Sequence, residues 1–372
     1  MSVPPDSPIS EKSKTVHVAL AERSYDISIG SGNLPSLGAQ VAACCRLTHA
    51  VVITDSRVES PHGEAAIQSL DATGAEVDAL VIEEGEQSKS IDVASALWEK
   101  LLDLGTDRKS VIVAVGGGVV GDLAGFVAAT FARGLPFFQV PTTLLAQVDS
   151  SVGGKTGVNL PGAKNMVGVF WQPRGVLIDT QVLKTQRDRD YRSGLAEVVK
   201  YGVILDPEFF AYLEKETAGL IARRHAVLER VIARSCELKA QVVQQDEREE
   251  TGLRAILNYG HTFGHAIEAV LGYGEILHGE GVAIGMECAA RLAQRLGMVD
   301  SEFVRRQHRL LVALGLPVTL SGVDHDALLA AMQHDKKVEH GRLRFVLPTR
   351  LGHVELVPDV SVDDVRAAMP MG

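Results

Sequence analysis

Five side chains in the second half of the chain, Arg254, Asn258, His261, His265 and Glu268, are separated by four, three, four and three residues. On one helix of 3.6 residues per turn that spacing lines them along a single face. The positions around them are apolar: Ile256, Leu257, Phe263, Ile267 and Val270. A polar stripe on such a helix must find partners when buried, and a divalent metal with its ligand satisfies imidazoles and carboxylates together. His278, beside Gly279 and Glu280 beyond a glycine-rich link, brings another imidazole toward the same point. Upstream, Glu197 and Lys200 share a helical face flanked by apolar residues, where an ordinary ion pair competes with a carboxylate kept for an ion. Two imidazoles and one carboxylate leave a coordination position open, which suits a catalytic metal better than a structural one.

Two other segments have anion chemistry. Gly116, Gly117, Gly118, Val119, Val120, Gly121 and Asp122 follow a strand-like VIVAV at 111–115 and precede an apolar helical pattern. At a strand-to-helix turn, glycines let the backbone approach a pyrophosphate whose charge the helix N-terminus favours. The match to a dinucleotide fingerprint is partial, because the motif is not at the first strand and no acid lies about twenty residues on. A tight turn packing helix on sheet is the competing reading. The second segment, DSSVGGKTGVN at 149–159 followed by Lys164 and Asn165, puts glycines, two lysines and amide donors within seventeen residues of a loop-like stretch. It lacks the glycine that a P-loop requires four residues further back, but can still wrap a phosphate or carboxylate.

These segments need a scaffold. Short β-branched runs at 16–20, 25–29, 50–54, 77–82, 111–115, 137–140 and 176–178 read as strands, several separated by helical patterns such as 57–70 and 91–104. That alternation predicts an α/β domain with a mostly parallel sheet over residues 16–180, after a disordered tail at 1–15. From 181 to 372 long 3.6-period stretches dominate (225–243, 254–271, 282–296), with strand signals returning at 343–347 and 353–357. A mainly α-helical C-terminal domain ending in a small hairpin is expected. The 372 residues exceed what one core usually holds, and 46% hydrophobic with 23% charged residues is an ordinary globular composition. Subtracting 47 acidic from 37 basic residues gives −10, which argues against nucleic acid or an anionic membrane as partner. Four cysteines (Cys44, Cys45, Cys236, Cys288) form no disulfide framework, and neither a signal peptide nor a membrane span is read, so a cytoplasmic location is expected.

Taken together, GEQSK (85–89), GGGVVGD (116–122), PTTLLAQVDSSVGGKTGVN (141–159), AKNMVG (163–168), GLAEVVKYG (194–202), LNYGHTFGHAIE (257–268) and HGEGVAIGM (278–286) resemble the 3-dehydroquinate synthases, sugar-phosphate cyclases of the shikimate pathway. The motifs run in that family's order over nearly the whole chain. The resemblance implies an N-terminal nucleotide-binding domain, a C-terminal helical domain and an active site in the cleft between them. It also implies that Glu197, His261 and His278 hold one divalent ion, zinc or cobalt, leaving His265 in the site without ligating. NAD is expected at Asp55, at Glu84, Gly85, Glu86, Gln87, Ser88 and Lys89, at Gly118, Val119, Val120, Gly121 and Asp122, at Thr142, Thr143, Lys155 and Lys164, and at Val182, Leu183, Lys184 and Thr185. Catalytic roles fall to Lys155, Lys200, His265 and Asp149. Substrate phosphate is expected at Lys155, Asn165, Asn258 and Lys336 or Lys337, with Arg133 reaching from a second subunit of a homodimer. Lys239 and Arg254 are expected to hold a carboxylate, with Glu249 or Glu250 in an acidic position nearby.

The reaction implied is conversion of 3-deoxy-D-arabino-heptulosonate 7-phosphate to 3-dehydroquinate and phosphate. Transient oxidation at C5 by NAD acidifies the neighbouring C–H, phosphate leaves with bound phosphate itself taking the proton, the hydride returns, and an intramolecular aldol step closes the ring. Net redox change is nil, which makes the enzyme a phosphate-eliminating carbon–oxygen lyase. Rival readings are another sugar-phosphate cyclase, whose substrate lacks the carboxylate, a metal-dependent polyol dehydrogenase, and a scaffold protein on an inherited fold.

Overall fold

The computed structural model describes residues 13–272, 275–320, 322–334 and 343–369. The chain divides into two compact units. One gathers the chain up to Thr142 with Gly154–Thr185 and Leu228–Ala233; the other gathers Thr143–Gly153, Gln186–Val227 and the chain from Arg234 onward.

In the first unit β1 (Lys14–Val18), β2 (Tyr25–Gly30), α1 (Leu37–Cys44), β3 (His49–Asp55), α2 (Glu64–Asp71), β4 (Glu76–Ile82), α3 (Ile91–Asp103), β5 (Val111–Gly116), α4 (Gly118–Thr130) and β6 (Phe137–Pro141) follow in order. A hairpin, β7 (Lys155–Leu160) and β8 (Ala163–Phe170), then leads to β9 (Gly175–Asp179). The main sheet has the order β1-β2-β9-β6-β5-β3-β4, parallel except for β1 against β2. Every residue of β5 and of β9 is buried, as strands covered on both faces must be. Val51, Ile53, Ile112 and Ala114 pack on one side with α3 and α4, while Ala50, Val52, Val111, Val113 and Val115 pack on the other with α1 and α2.

Three expectations need correcting here. The tail was expected to run through residue 15, but Lys14 and Thr15 already pair with Ile29 and Ser28 in the β1–β2 ladder; residues 1–12 lie outside the described residues. The stretch from Lys155 to Asn165, read as a loop, is mostly the β7–β8 hairpin. Its glycines at 157, 162 and 168 break the alternating pattern that would have marked strands. A single domain cut after residue 180 is replaced by two excursions of the chain. The hairpin packs on α4, whereas the turn over 143–153 packs on the next helix, where Gly194 closely faces Leu144 and Leu145.

The second unit contains α5 (Asp188–Leu205), α6 (Pro207–Lys215), α7 (Thr217–Ile221), part of α8 (His225–Gln245), α9 (His261–Leu271), α10 (His278–Arg295), α11 (Ser301–Ala313) and α12 (His325–His334). The antiparallel pair β10 (Phe345–Arg350) and β11 (His353–Val357) follows, and α13 (Val362–Ala368) comes after the hairpin that was expected to end the chain. The stripe from Arg254 to Glu268 is not one helix. Leu253–Asn258 forms a 3-10 turn, and Gly260 takes φ +80° before α9 begins at His261. A side chain at 260 would meet the backbone of α10, so only glycine allows the break. No helix among the described residues is long and apolar enough to cross a membrane.

The docking of the hairpin on α4 is tight. A Cβ at Gly125 would lie 2.4 Å from the Thr156 methyl and 3.0 Å from the Phe137 ring. Alanine gains roughly 1 kcal/mol of helix propensity, but overpacking costs about 1–3 kcal/mol, so packing decides. Gly125→Ala should lower the urea-unfolding free energy by about 1–2 kcal/mol; an equal or more stable variant would show that the hairpin yields.

Candidate active site

Helix α5 is buried almost throughout from Tyr191 to Ile204, and it carries Glu197 and Lys200 inward at 1% and 2% exposure. Burial of both charges is costly unless each is compensated. Neither Glu197 oxygen accepts a hydrogen bond among the described residues, although the Lys200 ammonium lies against Oε2. The other carboxylate oxygen, Oε1, faces His261 Nε2 at 3.4 Å and His278 Nε2 at 3.7 Å. Each imidazole is oriented from behind: His261 Nδ1 lies 3.1 Å from the Tyr259 carbonyl, and His278 Nδ1 lies 3.3 Å from Glu268 Oε2. Such rear partners set the tautomer and turn Nε2 toward Glu197. Burial opposes a charge on His278, but the Glu268 and Glu197 carboxylates outweigh it and raise its pKa. His265 stands beside this group, its ring 5.4 Å from that of His261 and 6.1 Å from that of His278.

Two sets of three donors come within 4.8 Å of one another: Glu197 with His261 and His278, and His265 with Glu268 and His278. The first presents a carboxylate that no hydrogen bond satisfies. In the second, Glu268 is already engaged with His278.

A second cluster adjoins the first in the same unit. Lys239 on α8 donates to the Asp149 carboxylate at 2.8 Å and to its main-chain carbonyl at 2.6 Å, and the Tyr201 hydroxyl donates to the same carboxylate at 2.7 Å. Burial alone would raise the pKa of Asp149, but Lys239 and Lys200 hold it well below the usual carboxylate range. Burial also lowers the pKa of Lys239. Arg254, 2% exposed, donates to the Glu247 carbonyl at 2.7 Å, and its Nε lies 3.5 Å from Glu249. Of the two candidate acids it is therefore Glu249, with φ +60°, that faces Arg254. Asn258 is half-buried at the end of the 3-10 turn. Thr143, assigned to NAD, belongs to this second unit, where its hydroxyl accepts from the Ala146 amide at 3.2 Å.

In the first unit the crossover changes direction between β3 and β5, whose neighbours run outward on opposite sides. Ligands of open α/β sheets bind at the carboxyl ends of strands beside such a switch. Asp55 ends β3 there, next to the glycine turn after β5. The acid sought beyond the glycines thus precedes them in sequence, on the neighbouring strand. Its Oδ1 accepts from the Arg57 and Val58 amides at 2.9 and 3.2 Å, while burial pushes its pKa up. The β4–α3 connection supplies exposed Glu84, Gly85, Glu86 and Gln87, with Ser88 and Lys89 buried. Lys89 Nζ meets Asp122 at 2.5 Å and also contacts Asn165, whose amide is held by Asn159 at 2.9 Å. Thr142, after β6, has a buried hydroxyl with no hydrogen-bond partner among the described residues. Val182 and Leu183 point into the core, so only their main chain, with Lys184 and Thr185, is open to a ligand. Lys155, Lys164 and Arg133 are exposed or half-exposed in this unit. Lys336 and Lys337 lie outside the described residues.

Comparison with known proteins accords with this geometry. Residues 79–193 match the model of the 3-dehydroquinate synthase N-terminal domain, and residues 194–338 match that of the C-terminal domain. The chain belongs to the 3-dehydroquinate synthase family. A 3-dehydroquinate synthase from Rhodopirellula baltica is 51% identical over 97% of this chain and 98% of its own. Among solved structures, a 2-deoxy-scyllo-inosose synthase complexed with carbaglucose-6-phosphate, NAD+ and Co2+ is 30% identical with a TM-score of 0.87, over 95% of this chain and 98% of that one. A 2-epi-5-epi-valiolone synthase from Streptomyces hygroscopicus subsp. jinggangensis with NAD+ and Zn2+ bound is 30% identical with a TM-score of 0.85, over 94% and 97%. As a member of the 3-dehydroquinate synthases the chain is an enzyme, a lyase. Tyr201, Tyr259 and Gln307 were not singled out from the sequence. Their role shows only once the fold brings Asp149, His261 and α10 to them.

The depressed pKa of Asp149 fixes a pH dependence. A carboxylate stabilised in its charged form contributes stability above its unfolded value near pH 4, and that contribution fades as pH falls toward the folded value. Asp149→Asn leaves buried Lys239 without its carboxylate, at a cost of about 3 kcal/mol near neutral pH. In urea titrations the gap between wild type and variant should narrow from pH 7 to pH 2.5. A constant gap would show that Asp149 acts by shape alone.

Proposed function

We propose that this chain converts 3-deoxy-D-arabino-heptulosonate 7-phosphate to 3-dehydroquinate and inorganic phosphate, using NAD and one divalent ion at Glu197, His261 and His278. The observation that carries the reading is the buried Glu197 carboxylate, whose Oε2 meets the Lys200 ammonium while Oε1, with no hydrogen bond among the described residues, is faced by two imidazole Nε2 atoms whose Nδ1 atoms are already engaged. That donor set fits zinc or cobalt with a position left open. The first unit fits NAD: a glycine turn opens α4 at the switch point, with Asp55 beside it and an orphaned Thr142 hydroxyl nearby.

When bound, the metal supplies Lewis-acid polarisation of a substrate hydroxyl, and NAD accepts a hydride and returns it. The chain's own residues do the rest. Asp149 stays ionised and holds Lys239 charged beside it, which with Arg254 makes a cationic end for the substrate carboxylate. Glu249 orients Arg254. Lys155, Asn165 and Asn258 are assigned to the phosphate, and Lys336 or Lys337 to the same task. Lys200 sits against Glu197 and sets a positive charge beside that carboxylate. His265, beside the ligands and outside the set, carries the hydroxyl proton on its imidazole. Arg133, exposed with φ +67°, serves the site of a second copy, making the working enzyme a homodimer. The four free cysteines support a cytoplasmic location. Recognition of the carboxylate by Lys239 and Arg254 separates this reading from other sugar-phosphate cyclases.

Supplying the heptulosonate phosphate with zinc and NAD at one-hundredth of the substrate concentration tests substrate and reaction class together. Phosphate and the cyclic product should appear in equal amounts without NADH accumulating. Turnover demanding one NAD per substrate would replace the cyclase with a dehydrogenase. His261→Ala should lose stoichiometric metal together with activity, while chelation of the wild type removes activity without unfolding the α/β unit. Full metal content in an active His261→Ala protein contradicts the ligand set.

A further inference from the structure

The Tyr259 hydroxyl donates to Gln307 Oε1 at 2.8 Å, and Gln307 Nε2 donates to the Met286 carbonyl at 2.9 Å. Both side chains are fully buried. The Tyr259 carbonyl is the group behind His261 Nδ1, and Met286 lies on α10, which begins at His278. Gln307 itself sits on α11, an element that contributes none of the residues assigned to the site.

We propose that Gln307 is a positioning residue for the metal centre, fixing the turn that carries His261 against the helix that carries His278. The proposal rests on the reading that Glu197, His261 and His278 hold the ion. Its basis is the way the turn meets the helix. A Cβ at Gly285 would lie 2.0 Å from the Gly260 carbonyl oxygen, so turn and helix touch backbone to backbone. Glycine contacts of this kind set a separation, with the Met286 side chain close to Gly260. Directional hydrogen bonds add resistance to sliding along α10. The Tyr259 hydroxyl also lies 3.3 Å from the Met286 carbonyl, so Gln307, bound to both groups, braces that contact, while the Tyr259 main-chain carbonyl stands behind His261 Nδ1 and Nε2 faces Glu197. A shift of that carbonyl frees the ring to rotate, and the pair of Nε2 atoms loses its common aim. The competing account is that Gln307 merely satisfies a buried phenol, which affects stability but not the metal.

The two accounts separate in metal-free protein titrated with Co2+, followed by its visible ligand-field absorption, and with Zn2+ by chelator competition. Wild type, Gln307→Leu, Tyr259→Phe and the double variant are compared, with thermal midpoints of the metal-free forms measured alongside. Each single variant is expected to bind Co2+ about tenfold more weakly, with a changed absorption band. In the double variant both polar partners are gone, so metal-free stability should largely recover while metal affinity stays low. Wild-type affinity and spectrum in either single variant, or an affinity that recovers together with stability in the double variant, overturns the proposal. Should Gln307→Leu fail to fold, Tyr259→Phe, which removes one oxygen, decides. Absence of stoichiometric Co2+ from the wild type instead defeats the underlying ligand assignment, so the two failures are distinguishable.

Discussion

A carboxylate buried to 1% exposure, with no hydrogen bond among the described residues, is the constraint on which the second unit is organised. A buried carboxylate must be met by positive charge or by donors, because burial strips it of solvation. Lys200, one turn along α5, supplies part of that charge, and the two imidazoles in front supply donors rather than a full counter-charge. The helix bringing His278 docks one turn before Glu197. The Gly279 amide donates to the Ser193 hydroxyl at 3.0 Å, and a Cβ at 279 would fall 1.9 Å from the Ser193 carbonyl. The approach of α10 to α5 is thus as close as backbones allow, and it is this approach that places His278 opposite Glu197.

The same logic extends to the neighbouring cluster. Two buried lysines, Lys200 and Lys239, lie within reach of two carboxylates, Glu197 and Asp149, so the interior charges nearly cancel before any ligand arrives. Tyr201 stays a neutral donor, because burial and the adjacent carboxylates push its pKa well up. A substrate anion entering such a cluster meets cations already desolvated and held in place, which strengthens the attraction and limits the reorganisation required. An acidic chain with net charge −10 can therefore bind an anion: the local arrangement, not the total, sets the field.

Much of this was legible in the sequence because the chemistry sits in short motifs and the fold in long periodic runs. Helices α8 and α10 and the body of α9 follow from apolar periodicity, and the buried strands β3, β5 and β9 from short β-branched runs. What periodicity misses are features decided by tertiary contact. The β7–β8 hairpin has strand pairing but glycines where a strand should show β-branched residues, and it is held by α4 and not by local propensity. That His261 faces Glu197 is likewise invisible to spacing, since His265 lies on the same face of α9. It follows from where α5 places Glu197, more than sixty residues earlier. Gln307 lies in an amphipathic helix among ordinary core positions, and nothing in its surroundings marks it until Tyr259 reaches it.

The break at Gly260 shows why the stripe had to be interrupted. As one continuous helix, Arg254 and His261 would stand about 10 Å apart along the axis, both facing the same way. The ion and the carboxylate would then share one line. In the structure the 3-10 turn points Arg254 back toward 246–249, where the Asp246 carboxylate accepts its amide at 3.2 Å and the Glu247 carbonyl accepts its guanidinium at 2.7 Å. His261, three residues beyond the turn, starts a new helix aimed at Glu197. The kink thus gives the guanidinium and the imidazole two directions within a few residues. The glycine at 260 is required by the left-handed backbone of that kink and by the close pass of α10 behind it.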